Sequence, residues 1–348
     1  MEQHKSVCKP IQLGLCCINT ELRNQSPTIF MSRKMTVKSI LEKGIERLKE
    51  LIIQNLHDVL KIMDWNEQNG IKVLRLSSGL FPHKTNPDVP TYSFDFAIPL
   101  LREIGTKSKL FGQRLTFHPG QFNVVGTPNP KCLQKTIDEL SHHADILDLM
   151  ELGDNSVMVV HGGGTYGNKT ETKDRWCSQF MMLPENVRRR LVLENCEKNF
   201  SIIDCLEISE RINIPVVFDT HHFQCYLQLH PEEEFDAPED YIERILETWR
   251  VRQIKPKFHV SEQGSGKCGH HSDYIEQIPQ YLLDIPDKYG VNIDIMIEAK
   301  CKEQSIMRLY QKYPRMNCLR NTSTSTTKNT KNKPKKRVKL ICSVIEEI

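Results

Sequence analysis

The apolar residues of the chain follow two alternating patterns. Short and largely apolar runs, rich in β-branched residues, predict buried parallel strands. Longer stretches, in which apolar residues recur every three or four positions, predict amphipathic helices between them. The predicted strands are residues 11–15, 71–76, 114–117, 156–160, 190–193, 214–218, 257–260 and 293–297. The predicted helices are residues 37–63, 94–104, 131–152, 172–182, 202–211, 241–249, 275–283 and 303–313.

This alternation predicts an α/β fold with a parallel sheet and helices outside it. Eight strand–helix units over about 300 residues favour a (β/α)8 TIM barrel over an open doubly wound sheet. No Gly-x-Gly-x-x-Gly segment follows the first strand, which disfavours a dinucleotide-binding fold. We therefore expect one TIM-barrel domain over residues 1–320, with its site at the C-terminal rim of the strands.

The last part of the chain differs in composition from the rest. Residues 321–348 are polar and carry a net charge of +5, although the whole chain of 348 residues carries only +3. We expect this segment to be a disordered basic tail. Within it, residues 334–339 resemble a nuclear localisation signal, and a non-specific DNA-binding arm is equally compatible. The barrel itself is close to neutral, so any nucleic-acid affinity there must come from a local patch.

The overall composition is that of an ordinary globular protein, with 39% apolar and 26% charged residues. No apolar run is long enough to span a membrane, and the first residues contain no apolar signal-peptide region. The twelve Cys form no Cys-x-x-Cys pair and indicate reduced thiols. These features predict an intracellular protein, either cytoplasmic or nuclear.

Side chains that can bind metals stand at or just after the ends of seven predicted strands. They are His83, His118, His161, Glu194, Asp219, His222, His259, the pair His270–His271, and Glu298. In a parallel barrel these strand ends meet on one rim. Clustered carboxylates repel one another unless cations lie between them. Mixed imidazole and carboxylate ligands suit Zn²⁺, Mn²⁺ or Fe²⁺, and more than four ligands imply two or three ions.

Other histidines fit structural roles better. His142 and His143 lie within a predicted helix, where we expect a solvated face. His230 precedes a proline in an acidic loop, and His57 lies on a helix away from the rim. His221 is also assigned a structural role, because its spacing fits no ligand pair.

The order of several short motifs resembles that of the UV damage endonucleases, which are relatives of endonuclease IV. The resemblance covers residues 11–312. The matching segments are Leu-Arg-Leu-Ser-Ser (74–78), Phe-His-Pro-Gly-Gln-Phe (117–122), Val-His-Gly-Gly (160–163), Leu-Glu-Asn (193–195), Phe-Asp-Thr-His-His (218–222), Lys-Phe-His-Val-Ser (257–261), His-Ser-Asp-Tyr (271–274) and Met-Ile-Glu-Ala-Lys (296–300).

This resemblance implies a TIM barrel that holds two or three divalent ions, Mn²⁺ first, with Zn²⁺, Mg²⁺ and Co²⁺ as alternatives. The ligand positions carry over to His83, His118, His161, Glu194, Asp219, His222, His259, His271 and Glu298. Lys257 matches a lysine that the family can carry in carboxylated form. The lesion-probing Gln-Tyr pair of the family matches Gln121 and Phe122, and a family Asn matches Asn19. An early family Tyr is Leu15 here, so two hydroxyl groups are missing.

The implied function is that of a metal-dependent DNA repair endonuclease. It would act as a monomer on damaged double-stranded DNA and hydrolyse the phosphodiester immediately 5′ to pyrimidine dimers and 6-4 photoproducts, leaving a 3′-OH for excision repair. Glu194 is the expected bridging carboxylate and Glu298 positions water, while Lys257 completes the catalytic set.

Three alternatives remain open at this point. An abasic-site endonuclease of the endonuclease IV type would use the same metals on another lesion. A metal-dependent sugar isomerase would also be a (β/α)8 barrel, but would need two metals and fewer His ligands. A DNA-binding protein with a structural metal site is disfavoured, because the nine-ligand set is intact.

Overall fold

The computed structural model describes residues 9–319. Its eight parallel strands form a nearly closed barrel in which neighbours follow the order β6-β5-β4-β3-β2-β1-β8-β7. The strands are β1 (Ile11–Cys16), β2 (Val73–Leu76), β3 (Arg114–Phe117), β4 (Met158–His161), β5 (Leu191–Glu194), β6 (Val216–Val217), β7 (Lys257–Val260) and β8 (Ile293–Ile297). The gap between β6 and β7 is bridged by Asp219 and His259, and the amide of His259 donates to the carbonyl of Phe218 at 3.0 Å.

The helices lie outside this barrel and connect successive strands. They are α1 (Thr20–Arg23), α2 (Val37–Lys43), α3 (Ile45–Gln68), α4 (Ile98–Phe111), α5 (Pro130–Leu149), α6 (Lys169–Phe180), α7 (Glu185–Arg188), α8 (Ile202–Ile212), α9 (Thr220–Leu229), α10 (Ile242–Val251), α11 (Gln280–Leu283), α12 (Ile285–Tyr289) and α13 (Lys302–Lys312). The predicted (β/α)8 architecture is confirmed. Among residues 9–319, no helix is long and apolar enough to cross a membrane.

Strand residues alternate between two environments, as the twofold period of a strand requires. Outward residues such as Leu13 and Ile295 belong to the main apolar core beneath the helices. The barrel interior instead contains a small apolar cluster of Cys16, Val73 and Met296. A Cβ at Gly14 would lie 2.9 Å from the Met296 side chain, so the glycine leaves room for this cluster.

Charged groups fill the interior on both sides of that cluster. At the N-terminal end, the buried Asp294 pairs with Arg114 at 2.8 Å and also with Lys255. In the middle, the Nζ atom of the fully buried Lys257 donates to Thr116 at 3.0 Å. The interior therefore carries charge along its length, and the C-terminal rim is its most densely charged part.

The structure departs from the predicted helices at three places. The predicted helix 37–63 is broken at Gly44, whose φ of 84° and ψ of 162° are readily adopted only without a Cβ. The predicted helix 275–283 is replaced by α11 and α12, and Pro286 opens the second. Helix α9 was missed, because the segment after β6 was predicted to be a loop.

The predicted basic tail, residues 321–348, and its segment 334–339 lie outside the described residues.

Candidate metal centre

The rim at the C-terminal ends of the strands gathers most of the predicted ligands. His161 and Glu194 are the last residues of β4 and β5 and are paired in register. Asp219 follows β6 and bridges to His259 in β7. Each side chain is therefore positioned by sheet hydrogen bonds, which makes the centre rigid.

Glu194 lies at the middle of this centre and is 1% exposed. Its Oε2 atom is 2.9 Å from Nε2 of His118 and 3.0 Å from Nε2 of His161. Its Oε1 atom is 2.6 Å from Nδ1 of His259 and 3.8 Å from Nδ1 of His222. One buried carboxylate is thus surrounded by four imidazoles that come from four different βα connections or strands.

This environment decides the charge of Glu194. Burial raises the pKa of its carboxyl group, but the nearby His259 and His161 outweigh that effect and hold the pKa well below its usual range. Burial lowers the pKa of His118 to about 4, although the hydrogen bond to Glu194 opposes the shift. Glu194 is therefore ionised at neutral pH and His118 is neutral, which are the forms that bind metals.

Glu298, which follows β8, forms the second half of the centre. Its Oε1 atom is 2.6 Å from Nη1 of Arg75 and 3.3 Å from Nδ1 of His259, and its Oε2 atom is 3.9 Å from Nδ1 of His271. Burial raises the pKa of this carboxyl group, but Arg75 and His259 hold it well below its usual range. Arg75 is thus an ion-pair partner of Glu298.

Asp219 and His222 are fixed by the start of α9. The Oδ1 atom of Asp219 accepts the amides of His221 and His222 at 2.8 Å, so this carboxylate is the N-cap of the helix. Nδ1 of His222 donates to the carbonyl of Asn195 at 3.0 Å, which leaves Nε2 as the nitrogen that can bind a metal once its proton is lost. Burial lowers the pKa of His222, but Asp219 and Glu194 raise it to about 9.

Two further residues organise this sector and were not predicted. The side-chain amide of Asn195 joins both backbone groups of Asp219, at 2.8 and 3.1 Å. The hydroxyl of Ser261 donates to the Asp219 carboxylate at 3.3 Å. Both follow ligand positions by one or two residues in the sequence, and both end segments that match the family, which are the signals that could have indicated them.

The donor set fits divalent metal ions. Two groups of three side chains have ligand atoms within 4.8 Å of one another, namely His118–Glu194–His259 and His161–Glu194–His222. Nε2 of His259 is buried and has no hydrogen-bond partner among residues 9–319, and a buried polar atom without a partner is costly unless something else binds it. Glu194 belongs to both groups, so it is placed to bridge two ions.

Comparisons with known proteins show the family to which the chain belongs. The model of the family described as UV-endonuclease UvdE matches residues 11–328. The chain belongs to the UvdE family. A putative UV-damage endonuclease of Acanthamoeba polyphaga mimivirus is 40% identical over 308 residues, which cover 87% of this chain and 91% of the viral one. The UvdE assignment makes the chain a DNA repair endonuclease.

Two cellular UvdE relatives extend the comparison. The UV-damage endonuclease of Schizosaccharomyces pombe is 35% identical over 323 residues, which cover 89% of this chain and 52% of the fungal protein. The UV DNA damage endonuclease of Bacillus cereus strain B4264 is 32% identical over 301 residues, which cover 86% and 93% of the two chains. The chain therefore spans nearly all of the bacterial relative and about half of the fungal one.

Solved structures show the same fold. The crystal structure of SacUVDE superimposes with a TM-score of 0.74 at 28% identity and covers 88% of this chain and 99% of that one. A family 2 AP endonuclease from Brucella melitensis reaches a TM-score of 0.51 at 11% identity, with 88% and 99% covered. The second likeness shows the barrel fold alone.

The predicted lesion-probing residues lie at different depths in this UvdE protein. Gln121 and Phe122 are exposed on the loop after β3, and Phe122 has 71% of its surface accessible. Asn19 is buried, and its Oδ1 atom caps α1 by accepting the amide of Leu22 at 2.9 Å. Its Nδ2 atom is buried and has no hydrogen-bond partner within the described part of the chain. Lesion probing by these three residues stays a prediction.

His83 is placed apart from the groups described above. Its Nε2 atom lies 2.7 Å from the carbonyl of Met35, and its Nδ1 atom lies 3.2 Å from Nδ2 of Asn86. Its φ of 62° is unusual for a residue with a side chain. The metal role of His83 stays a prediction, and a ligand role would require one of these contacts to open.

The prediction of a solvated face for His142 and His143 is wrong. They are 5% and 0% exposed, and the His143 ring packs edge-on against Phe117 at 4.8 Å. Together with Glu139 they form another group of close ligand atoms. Burial and the charges of His143 and Lys84 lower the pKa of His142, so a neighbouring ammonium already disfavours a cation there.

Proposed function

We propose that this protein hydrolyses the phosphodiester immediately 5′ to UV photoproducts in double-stranded DNA and leaves a 3′-OH. The observation that carries the proposal is the buried Glu194 carboxylate among four imidazoles, with Glu298 beside it. Family membership directs this centre to UV-damaged DNA. The lesions are pyrimidine dimers and 6-4 photoproducts, and the cut supplies the end from which excision repair proceeds.

Two or three divalent ions, Mn²⁺ first, are the proposed cofactors. His118, His161, His222, His259 and Glu194 would hold two of them, and Asp219, His271 and Glu298 complete the set. Such ions, when bound, polarise the phosphate and lower the pKa of water. Glu194 is the proposed bridge between ions, because each of its oxygens already lies close to imidazole nitrogens.

Glu298 has a separate role that the geometry supports. Arg75 keeps its carboxylate ionised, so Glu298 accepts a hydrogen bond well but is a poor proton acceptor. It therefore orients the attacking water in line with the bond from phosphorus to the 3′ oxygen. That bond breaks as the water oxygen joins phosphorus. The water gives a proton to solvent and the departing 3′ oxygen takes one from solvent, which gives a 5′-phosphate and a 3′-OH.

Lys257 lies inside the barrel, on the N-terminal side of the metal ligands. Burial, together with the positive charges of Arg114 and Arg75, lowers the pKa of its ammonium group to about 7. Much of the side chain is therefore neutral near physiological pH. A neutral buried amine is the form that carboxylation requires, and it also adds no positive charge beneath the metal ligands.

Gln121 and Phe122 form the proposed lesion probe. The Phe122 ring lies over Gly120, where a Cβ would be 2.5 Å from the ring. The glycine thus allows the ring to fold back on its own loop while its outer face stays open to DNA. A damaged base step costs less to unstack than an intact one, so an inserted ring selects damaged sites.

A panel of labelled duplexes tests the proposal. The duplexes differ only at one central site, which holds a cyclobutane pyrimidine dimer, a 6-4 photoproduct, an abasic site or no lesion. We expect the full chain with Mn²⁺ to cut once, directly 5′ to each photoproduct, and to leave an end that a polymerase extends. A chelator should stop the reaction. Incision at the abasic site alone would support the endonuclease IV alternative, and no incision with any of Mn²⁺, Zn²⁺, Mg²⁺ or Co²⁺ would reject nuclease activity.

A further inference from the structure

A second exposed aromatic residue stands on the same rim as Phe122. Tyr166 lies in the loop after β4, and 49% of its surface is accessible. The strands that lead into these two loops, β3 and β4, are neighbours in the sheet. The loops also touch, because a Cβ at Gly163 would lie 2.4 Å from the side chain of Val124. Tyr166 is therefore on the loop next to the one that carries the proposed lesion probe.

The two aromatic residues are held in similar ways. Each ring lies over the glycine two positions earlier: a Cβ at Gly120 would be 2.5 Å from the Phe122 ring, and one at Gly164 would be 3.5 Å from Cζ of Tyr166. Both glycines leave one face of the loop free for the ring. Neither ring is inserted into the apolar core beneath it.

Arg175 on α6 supports the Tyr166 ring from the protein side. Its guanidinium carbon is 5.7 Å from the ring centroid. The same guanidinium donates to the carbonyl of Gly126 at 2.9 Å and to the hydroxyl of Thr172 at 2.9 Å. Arg175 thus connects the loop of Phe122 to the loop of Tyr166. Its guanidinium lies against one face of the Tyr166 ring, and the rest of that ring stays exposed.

The backbone of Tyr166 is in the left-handed region, with a φ of 51°. This conformation is uncommon for a residue with a large side chain and is energetically unfavourable. It lies between Gly163 and Gly167, whose φ values are 88° and 84°. The strain presents an exposed aromatic ring at the rim, a few residues after the ligand His161.

We propose that Tyr166 is a second stacking surface for the DNA, beside Phe122, and that it contributes to discrimination between damaged and intact duplexes. The inference rests on the proposed function. Aromatic side chains on a nucleic-acid surface stack on bases whatever their sequence, and one such contact changes binding by on the order of 10-fold. A base displaced at the lesion exposes a face that a stacked base does not. Stacking on Tyr166 therefore strengthens binding to the damaged duplex more than binding to the intact one.

The experiment measures incision kinetics on a photoproduct duplex and, in the same Mn²⁺ buffer, the Kd for the undamaged duplex. The variants of the full chain are Tyr166→Ala, Tyr166→Phe and the control Leu110→Ala. Leu110 is 78% exposed and lies near the end of α4, just before β3 begins at the opposite rim.

We expect Tyr166→Ala to lower kcat/KM on the photoproduct duplex about 10-fold, mainly through KM. Its Kd for undamaged DNA should stay within about twofold of the wild-type value. Its melting temperature should stay within about 2 °C of that of the wild type. Tyr166→Phe and Leu110→Ala should match the wild type. A Tyr166→Ala variant with unchanged kcat/KM, an equal loss on both duplexes, or a Tyr166→Phe variant as impaired as Tyr166→Ala would each overturn the inference.

Incision by the wild-type protein distinguishes a failure of the proposed function from a failure of the proposed role of Tyr166. If the wild-type protein cuts neither photoproduct duplex, the proposed function fails before Tyr166 is tested. If the wild type cuts and Tyr166→Ala cuts equally well, only the stacking role of Tyr166 fails.

Discussion

Nδ1 of His259 lies 2.6 Å from Glu194 and 3.3 Å from Glu298, so one imidazole joins two of the rim carboxylates. His259 is fully buried within β7, and its Nε2 atom has no partner among the described residues. The two halves of the centre therefore share a side chain that the sheet itself holds. Changes to either half should affect the other.

Removal of divalent ions should lower the thermal stability of the protein. Ions that bind only the folded state add about 2.7 kcal/mol when present at 100 times their Kd. We expect a chelator to lower the melting temperature by several degrees, roughly. For the His259→Ala variant, the difference between the melting temperatures with and without divalent ions should be smaller, because the substitution removes the shared ligand. His57→Ala is the control, since His57 is exposed on α3 and belongs to none of the groups of close ligand atoms among residues 9–319. Equal shifts in both variants would exclude His259 as a ligand.

Arg75→Met should destabilise the metal-free protein by about 3 kcal/mol, because it leaves the Glu298 carboxylate buried without its cation. Bound divalent ions supply a positive charge in its place, so the loss should be smaller with Mn²⁺ present. Urea unfolding in chelator and in Mn²⁺ measures both losses. The double variant Arg75→Met with Glu298→Gln should recover much of the metal-free loss. A loss that is the same in both buffers would contradict the proposed metal role of Glu298.

Phe122→Ala should lower kcat/KM on a photoproduct duplex by about 10-fold, because it removes the ring that enters the lesion. The ring is 71% exposed, so the melting temperature should hardly change. Phe122→Tyr should retain the activity, since stacking requires the ring and not the missing hydroxyl. Incision assays at varied substrate concentration give the answer, and an unaffected Phe122→Ala variant would remove Phe122 from the probe.

Asp204 provides a pH test that is independent of the metal centre. It forms a capping box with Ser201 at the start of α8 and pairs with Lys169 and Lys173 at 3.1 Å. Burial raises the pKa of its carboxyl group, but Lys169 and the Ser201 hydrogen bonds lower it below its usual value.

The stability that Asp204 contributes is therefore complete above about pH 4, its pKa in the unfolded chain. It is lost as the pH falls through the lower folded pKa. Asp204→Asn should cost about 2 kcal/mol at pH 7 and progressively less below pH 4. Unfolding free energies of the two proteins at several pH values check this, and a difference that grows on acidification would show that the sign is wrong.

The strands and the rim could be predicted because they follow simple rules. Each strand is short and buried, and the first polar side chains after it reach the rim whatever their sequence spacing. His118, His161, Glu194 and His259 therefore lie together as the sequence indicated. Polar residues inside the barrel, such as Lys257, did not hide the strands because apolar neighbours flank them.

The misplaced elements depended on longer-range or finer information. Helix α9 begins where Asp219 caps it, and a carboxylate that looks like a ligand obscured the role of N-cap. The break at Gly44 depends on a single backbone angle. His143 lies on the buried face of α5, three residues after Leu140 and four before Leu147. This helical spacing indicates burial, but the polar character of the two imidazoles led to the prediction of a solvated face.

Glu194 is the residue proposed to hold the metal ions that catalyse the reaction. The most direct measurement is the rate of incision of a 6-4 photoproduct duplex by Glu194→Gln, alongside the control Glu197→Gln, which changes a half-buried neighbour of no proposed ligand role. Metal content and DNA binding are measured on the same samples. We expect Glu194→Gln to lose at least about 1,000-fold in rate and to bind less metal, while it still binds DNA. Glu197→Gln should keep its activity within a few-fold, roughly. Full activity of Glu194→Gln at wild-type metal content would contradict the account.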